Sequence, residues 1–470
     1  MEACQERWAD LSREHFGAAK LGDARRTKRL VKSAGLMMKN PSGTLPKKLA
    51  NWADLNGLYR LVGCEQVTHA AVIEPHICRT WEMMRQTQEV VLLVQDATEL
   101  DYTTRTGLKD LGQIGTGHAR GYICQNVLAV TPQRRVLGLA GQILHKRRKV
   151  DKKETPLQKR EHPDRESRLW LKGCEATGPV PPGCNWVDVC DRGSDTFEFL
   201  EYEHRQGRKY VIRSARDRNV DGEDHVGGDR IHQTLHAYAR DLATLGTKQV
   251  QTQARSGGRR PAKARMATVR VAAGPVSVAA PHFARGECSA TSLDLWVVHV
   301  REIDPPAGVE PLEWMLLTNV PTETFAQACE RVNWYECRWV IEDYHKAKKT
   351  GLGIESAQFE DEAKLEPVIG LLSVIAAVLL GLRQEARQPD ADLTLATTMV
   401  PLLYVQVLSG RLYKRVRSDL SVREFFMGMA RLGGHLGRKG DGFPGWLTLW
   451  RGWECLHHMV AGAQAMLMRE

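Results

Sequence analysis

The stretch Asn185-Trp-Val-Asp-Val-Cys-Asp191 restricts this chain more than any other. It is an apolar run of strand length that ends in a carboxylate. A helical pattern follows over residues 196–206, and a second strand pattern over 209–214. Strand, helix and strand in that order imply a parallel pair. In such sheets, sites form at the carboxyl ends of strands. An earlier run, Val90-Val-Leu-Leu-Val-Gln-Asp96, has the same form. Residues 121–132 and 135–145 read as two strands around a short turn, an antiparallel hairpin after that first strand. The expected core is a mixed sheet flanked by helices, with Asp96 and Asp191 at neighbouring strand ends.

Residues 335–350 contain neither Pro nor Gly and are followed by Gly351, which predicts one helix with a stop signal. On a wheel at about 100° per residue, Tyr335, Arg338, Glu342 and Lys349 fall within roughly 60° of each other, with Lys346 close by. Val340, Ile341, Tyr344 and Ala347 take the opposite, core-facing side. The polar face presents one carboxylate among three cations and a phenol. Such a face suits a divalent metal beside phosphates, the Glu for the metal and the cations for phosphate oxygens. A solvated face with an i, i+4 Arg–Glu pair gives the same pattern.

At 470 residues the chain has room for about three domains. A hydrophobic content of 42% marks it as globular. The net charge of +10 favours a polyanionic partner, of which nucleic acid is the usual one. Residues 1–60 alone hold 12 Lys/Arg against 6 Asp/Glu. Asp23 can cap a helix from Ala24, on which Arg25, Arg26, Arg29 and Lys32 form a cationic stripe while Leu30 and Val31 turn inward. A stripe of this kind lies along a DNA groove or simply solubilises a surface. Residues 51–62 continue with apolar residues at helical spacing (Trp52, Leu55, Leu58, Tyr59, Leu61), so residues 1–67 read as a small helical domain. Residues 68–366 hold the sheet, with a β-rich insertion at about 220–312 whose tip is the basic turn 255–265. The basic run 146–153 reads as a mobile loop. Residues 367–470 are mostly helical: an apolar helix, a second over 392–408 interrupted at Pro401, a third over 422–432, and a stripe of Trp446, Trp450 and Trp453. The longest apolar run, 367–382, begins with Pro and carries two Gly. It reads as a buried helix rather than a membrane span. The eleven Cys show no zinc-like spacing, and the N-terminus lacks a secretory pattern. Reduced thiols in a cytoplasm are the expectation.

Three carboxylates, Asp96, Asp191 and Glu342, with no need of a His or Cys ligand, favour hard cations, Mg²⁺ or Mn²⁺. Two such ions about 3.5–4 Å apart serve a phosphodiester displacement. Flanking Arg and Lys would take the phosphates. The residues point to a metal-dependent enzyme acting on nucleic-acid backbone, built on a ribonuclease-H-like α/β core.

Asp96-Ala-Thr98, Val189-Cys-Asp-Arg-Gly-Ser-Asp195 and the spaced set Tyr335, Arg338, Glu342 and Lys349 resemble the DDE cut-and-paste transposases of bacterial insertion sequences that carry the Tyr-Arg-Glu-Lys signature. Leu21-Gly-Asp-Ala-Arg-Arg26, Leu312-Glu-Trp-Met-Leu-Leu-Thr318 and Ala430-Arg-Leu-Gly-Gly434 with segment 446–453 also resemble family stretches, so the resemblance runs nearly end to end. It implies that Asp96, Asp191 and Glu342 are the metal-binding catalytic triad, with two Mg²⁺ (or Mn²⁺) ions. It implies a hydrolytic nick at the element's end, a hairpin intermediate, hairpin opening and joining of the 3′-OH to target DNA. Tyr335, Arg338, Lys349 and Lys346 would hold phosphates. Trp314 would stack on a flipped base, Arg213 would contact DNA, and Arg25, Arg26 and Arg29 would contact the element's ends. The partners implied are double-stranded DNA and a second copy of the chain, dimerised through residues 367–470, in a bacterial cytoplasm at the nucleoid. Two positions depart from the family: Ala97 stands where a second Thr is common, and Gly193-Ser194 where Glu-Ala is common. A nuclease without strand transfer shares the triad but leaves Trp314, Tyr335 and Arg338 without an evident task. A non-cleaving repressor of the element leaves the three carboxylates unexplained.

Overall fold

The structure, a computed structural model, describes residues 2–49, 51–151, 153–223, 230–252, 264–281, 288–438 and 441–467. Five helices come first: α1 (Glu2–Phe16), α2 (Ala24–Lys39), α3 (Leu45–Leu49), α4 (Trp52–Val62) and α5 (His69–Gln86). Three of them start on a side-chain cap. Asp23 accepts from the Arg25 N–H, Asn51 from Ala53 and Thr68 from Ala71. Leu30, Ala34, Met37 and Met38 form the buried face of α2.

The sheet then begins with β1 (Val91–Asp101), β2 (Gly112–Gln113), β3 (Arg120–Val130) and β4 (Val136–His145). After α6 (Pro156–Glu161) and α7 (Leu169–Thr177) come β5 (Trp186–Cys190), α8 (Phe197–Arg205) and β6 (Lys209–Arg213). β1 pairs antiparallel with β3, and β3 with β4. On its other edge β1 pairs parallel with β5, and β5 with β6. The spatial order β4–β3–β1–β5–β6 is the antiparallel hairpin beside a parallel pair that the sequence predicts. Behind β5, the guanidinium of Arg208 bonds Asp188 Oδ2 at 2.9 Å and reaches Gly178 O and Thr177 Oγ1. This buried pair fixes the start of β6 against the middle of β5.

The insertion extends the same sheet rather than standing apart. β7 (Asn219–Glu223), β8 (Arg230–Thr234), α9 (Leu235–Asp241), β9 (Gly246–Gln251), β10 (Met266–Ala279), β11 (Ser292–Glu302) and β12 (Glu313–Thr318) complete a sheet of 12 strands. β12 closes back antiparallel onto β6. Residues 253–263 of the basic turn lie outside the described residues.

Expectations for three stretches are corrected here. Asp96 does not end its strand: β1 runs on to Asp101 because β3 keeps pairing with it, Asp96 opposite Asn126. Residues 335–350 are not one α-helix. α10 (Phe325–Glu336) and α11 (Trp339–Lys346) meet at a tightened turn, in which the Cys337, Arg338, Val340 and Ile341 N–H groups donate to carbonyls three residues back. After Lys346 the chain widens into a π-turn over Ala347–Gly351, with Leu352 N–H donating five residues back to Ala347 O at 2.8 Å. The basic run after β4 is pinned by ion pairs: Lys146 to Asp110, Arg147 to Glu166 and Arg148 to Glu154. Trp52, one of the apolar residues at helical spacing, is 73% exposed at the first turn of α4.

Four helices follow: α12 (Glu362–Glu385), α13 (Leu402–Tyr413), α14 (Val422–Leu432) and α15 (Trp446–Leu467). α13 starts after Pro401, and short 3₁₀ turns replace the expected helix before it, since a residue preceding proline is pushed out of helical backbone. α12 is long and apolar enough to cross a membrane, yet 78% of its most apolar stretch is buried inside the protein. Trp8 of α1 packs edge-on against Trp453 of α15 at 5.5 Å and against Tyr404 of α13 at 6.3 Å. One apolar core therefore runs from Trp8 through the sheet to Val460.

α14 and α15 touch backbone to backbone. A Cβ on Gly433 would meet Thr448 O at 1.9 Å, and one on Gly452 would meet Met429 O at 1.9 Å. Only glycine permits that crossing. Gly452→Ala is expected to force the helices apart and lose about 1–3 kcal/mol or more, read as a lower urea midpoint with an unchanged m-value.

Candidate active site

β1 and β5 run in parallel register, with Gln95 opposite Cys190. The next residue on each strand is Asp96 and Asp191, so the two carboxylates leave adjacent strands about 4.8 Å apart at the point where β5 stops. Asp191 turns the chain there. Its Oδ1 accepts the Gly193 N–H at 2.9 Å and caps the short turn Arg192–Ser194. Gly193 is required by its neighbour: a Cβ there would lie 2.4 Å from the Trp170 ring. Asp195 is buried and structural. Its carboxylate takes the Ala215 and Arg216 N–H groups and the Arg218 guanidinium at 2.6–2.9 Å.

The third carboxylate arrives on α11. Arg338, at the turn before that helix, bonds Glu342 Oε1 at 2.8 Å and lies 3.5 Å from Asp96 Oδ2. One guanidinium thus spans residues 96 and 342. Burial pushes the Asp96 carboxyl up to about 7; Asp191 and Glu342 push the same way, against the pull of Arg338. Negative charge is in surplus here, with Arg338 the cation closest to Asp96 among the described residues.

Tyr335 sits on the same cluster. Its ring is buried beside Arg338 and edge-on to Trp314 at 5.2 Å, and its hydroxyl faces the Arg213 guanidinium. Arg213 also donates to Glu313 O at 3.0 Å. Trp314 is only 2% exposed. In this conformation its indole is a wall under Tyr335, and no face of it is open to a base. The structure thus brings Asp96, Asp191, Glu342, Arg338, Tyr335, Arg213 and Trp314 together. Lys349 sits within the widened turn, paired with Glu355 at 3.1 Å, and Lys346 points outward beside Asp343.

Sequence reasoning missed Asn126 and Lys348, both fully buried beside this cluster. Lys348 had a signal. On the same wheel it falls between Tyr344 and Ile341, on the core face. A second buried cluster, Cys174, Asp188 and Glu203, has metal-like proximity. Its charge is already engaged: Arg208 bonds Asp188, and burial beside Asp188 pushes the Glu203 carboxyl well above the usual range.

On α2 the cationic stripe is partly engaged. Arg25 projects into solvent beside Asp23, Arg26 donates to Leu21 O and Gln66, and Arg29 and Lys32 share Asp54 at 2.8 and 2.6 Å. A groove of about 1060 Å³ runs between α1 and α2, with Lys20, Lys28, Lys32 and Lys39 along it.

Residues 6–67 match the transposase DNA-binding family. The match covers α2, α3 and α4 and most of α1, and it supports a transposase role with DNA as the partner.

The raised Asp96 pKa carries a sign. The buried, protonated form is favoured by folding, so its stabilising contribution is full below about pH 4 and is lost as pH rises through about 7. Asp96→Asn in metal-free buffer should melt higher than the parent at pH 8, with the difference vanishing near pH 4 in paired thermal scans.

Proposed function

We propose that this protein is a DDE transposase. It cuts the ends of its own element and joins them to target DNA through Asp96, Asp191 and Glu342. The observation that carries this reading is the convergence of carboxylates from distant parts of the chain: Arg338 spans Asp96 and Glu342, Asp191 stands on the strand beside Asp96, and burial, with both other carboxylates adding to it, raises the Asp96 carboxyl to about 7. The DNA-binding segment at residues 6–67 supports the substrate.

The donor set fits Mg²⁺ or Mn²⁺. It is all carboxylate oxygen, it is crowded with negative charge, and hard cations prefer such ligands. Asp96, Asp191 and Glu342 would hold one or two ions, which supply Lewis-acid polarisation of the scissile phosphodiester when bound. Arg338 then has two tasks. It balances Asp96 and Glu342 before binding, and it presents its guanidinium to a phosphate once the carboxylates engage elsewhere. Tyr335 and Arg213 line the same wall and would orient the backbone of the end.

The proposed reaction follows the hairpin route. Water nicks one strand at the end, and the freed 3′-OH attacks the opposite strand. A second water opens the hairpin, and the same 3′-OH joins target DNA. A stacking role for Trp314 requires the Tyr335 ring to swing off the indole when DNA enters. Dimerisation of two end-bound copies through residues 367–470 belongs to this reading.

The test uses linear DNA carrying the inverted repeats that flank the gene. The parent with Mg²⁺ is expected to release a fragment with a hairpin end, and Asp191→Ala is expected to release none. Random nicks would favour a plain nuclease, and binding without cleavage a repressor. Glu342→Gln should bind ends within about twofold of the parent in Ca²⁺, while cleavage falls by at least about 10³-fold on denaturing gels.

A further inference from the structure

We propose that Asn126, locked by Lys348, is a positioning residue that sets the spacing between Asp96 and Glu342. This rests on the carboxylate-site reading above. Asn126 lies at the centre of β3, directly opposite Asp96 in the ladder. Its Oδ1 accepts from Gln142 Nε2 at 2.7 Å and from Lys348 Nζ at 3.0 Å. Its Nδ2 donates to Cys124 O at 2.8 Å, lies 3.2 Å from His345 Nε2 and faces Asp96 O at 3.5 Å. His345 stands three residues beyond Glu342 on α11. One amide therefore ties the strand that carries Asp96 to the helix that carries Glu342.

Lys348 decides which way that amide points. With an ammonium and the Gln142 amide both donating to Oδ1, a flipped Asn126 would set its own NH₂ against two donors. The flip is excluded, so Nδ2 must face β1 and α11. Nothing else about Lys348 accounts for its place. Its Nζ is fully buried, with the Cys124 thiol at 3.5 Å and the Tyr344 ring at 4.7 Å among its other neighbours. An uncompensated buried charge is costly, and an apolar side chain of the same length fits that site at lower cost. The π-turn at Ala347–Gly351 carries Lys348 in this inward position, while Lys349 remains at the surface with Glu355. Turns of this kind recur at functional sites.

The test compares the full-length parent, Lys348→Met, Lys348→Gln and Asp191→Ala. Mn²⁺ binding is read by the electron paramagnetic resonance of free Mn²⁺, folding by thermal melting in metal-free buffer, and end binding by gel shift in Ca²⁺. Lys348→Met is expected to melt at or above the parent and to bind ends within about twofold, yet to bind Mn²⁺ about 10-fold more weakly, the scale for loss of an orienting partner behind a metal ligand. Lys348→Gln restores a donor to Asn126 Oδ1 and should recover most of that affinity. Parent-level Mn²⁺ affinity in Lys348→Met overturns the proposal. If Lys348→Met does not fold, Asn126→Ser replaces it under the same criterion. A parent that binds no Mn²⁺, or an Asp191→Ala variant that binds it equally well, overturns the carboxylate-site reading itself and this proposal with it.

Discussion

Two carboxylates side by side on paired parallel strands, one of them in a desolvated site, resist being ionised together unless cations stand beside them. The centre of this protein is built around that constraint. The register that sets Gln95 beside Cys190 places Asp96 beside Asp191, and burial then raises the free energy of the doubly charged state. Arg338 relieves part of it and reaches Glu342 as well. The geometry is stable, but its charge is unbalanced in a direction that a divalent cation would correct. Asp96 keeps a proton near neutrality for the same reason.

The layers around this centre hold it from three sides. From behind, the Asp188–Arg208 pair anchors β5 to the start of β6. From the hairpin side, Asn126 joins β3 to α11 through His345. From beneath α11 and the π-turn, α12 supplies an apolar platform, and the Tyr344 hydroxyl donates to Ser373 O at 3.2 Å. α12 also bears on the N-terminal helices, which meet α15 through Trp8 and Trp453 and through the Lys47–Glu454 pair. The helices that match a transposase DNA-binding segment are thus packed into the same core that supports the carboxylates.

Much of this was legible from residue order. The parallel pair follows from the strand–helix–strand pattern around Asp191, and the hairpin from two β-patterned runs around a short turn. Asp23 and Thr196 mark helix starts that the structure keeps. Other features were not legible, for identifiable reasons. β1 outlasts the apolar run that announces it, because β3 goes on pairing beyond Asp96. The helix carrying Glu342 is tightened before and widened after, by backbone bonds of three- and five-residue span that side-chain periodicity does not announce. Trp52 has the spacing of a core residue but lies at a helix start that nothing covers.

The sequence by itself determined the alternation of strands and helices, the carboxylates available at 96, 191 and 342, and the excess of positive charge at the N-terminal end. Periodicity and capping are local, so they can be read from a single stretch of chain. Only the tertiary structure decided that Arg338 spans two of those carboxylates, that Trp314 lies beneath Tyr335, and that Lys348 turns inward to hold Asn126. Each of these joins residues that are near in space but not adjacent in sequence. Each exists because burial removes water as the alternative partner, and that choice is made only when the sheet and its helices close on one another.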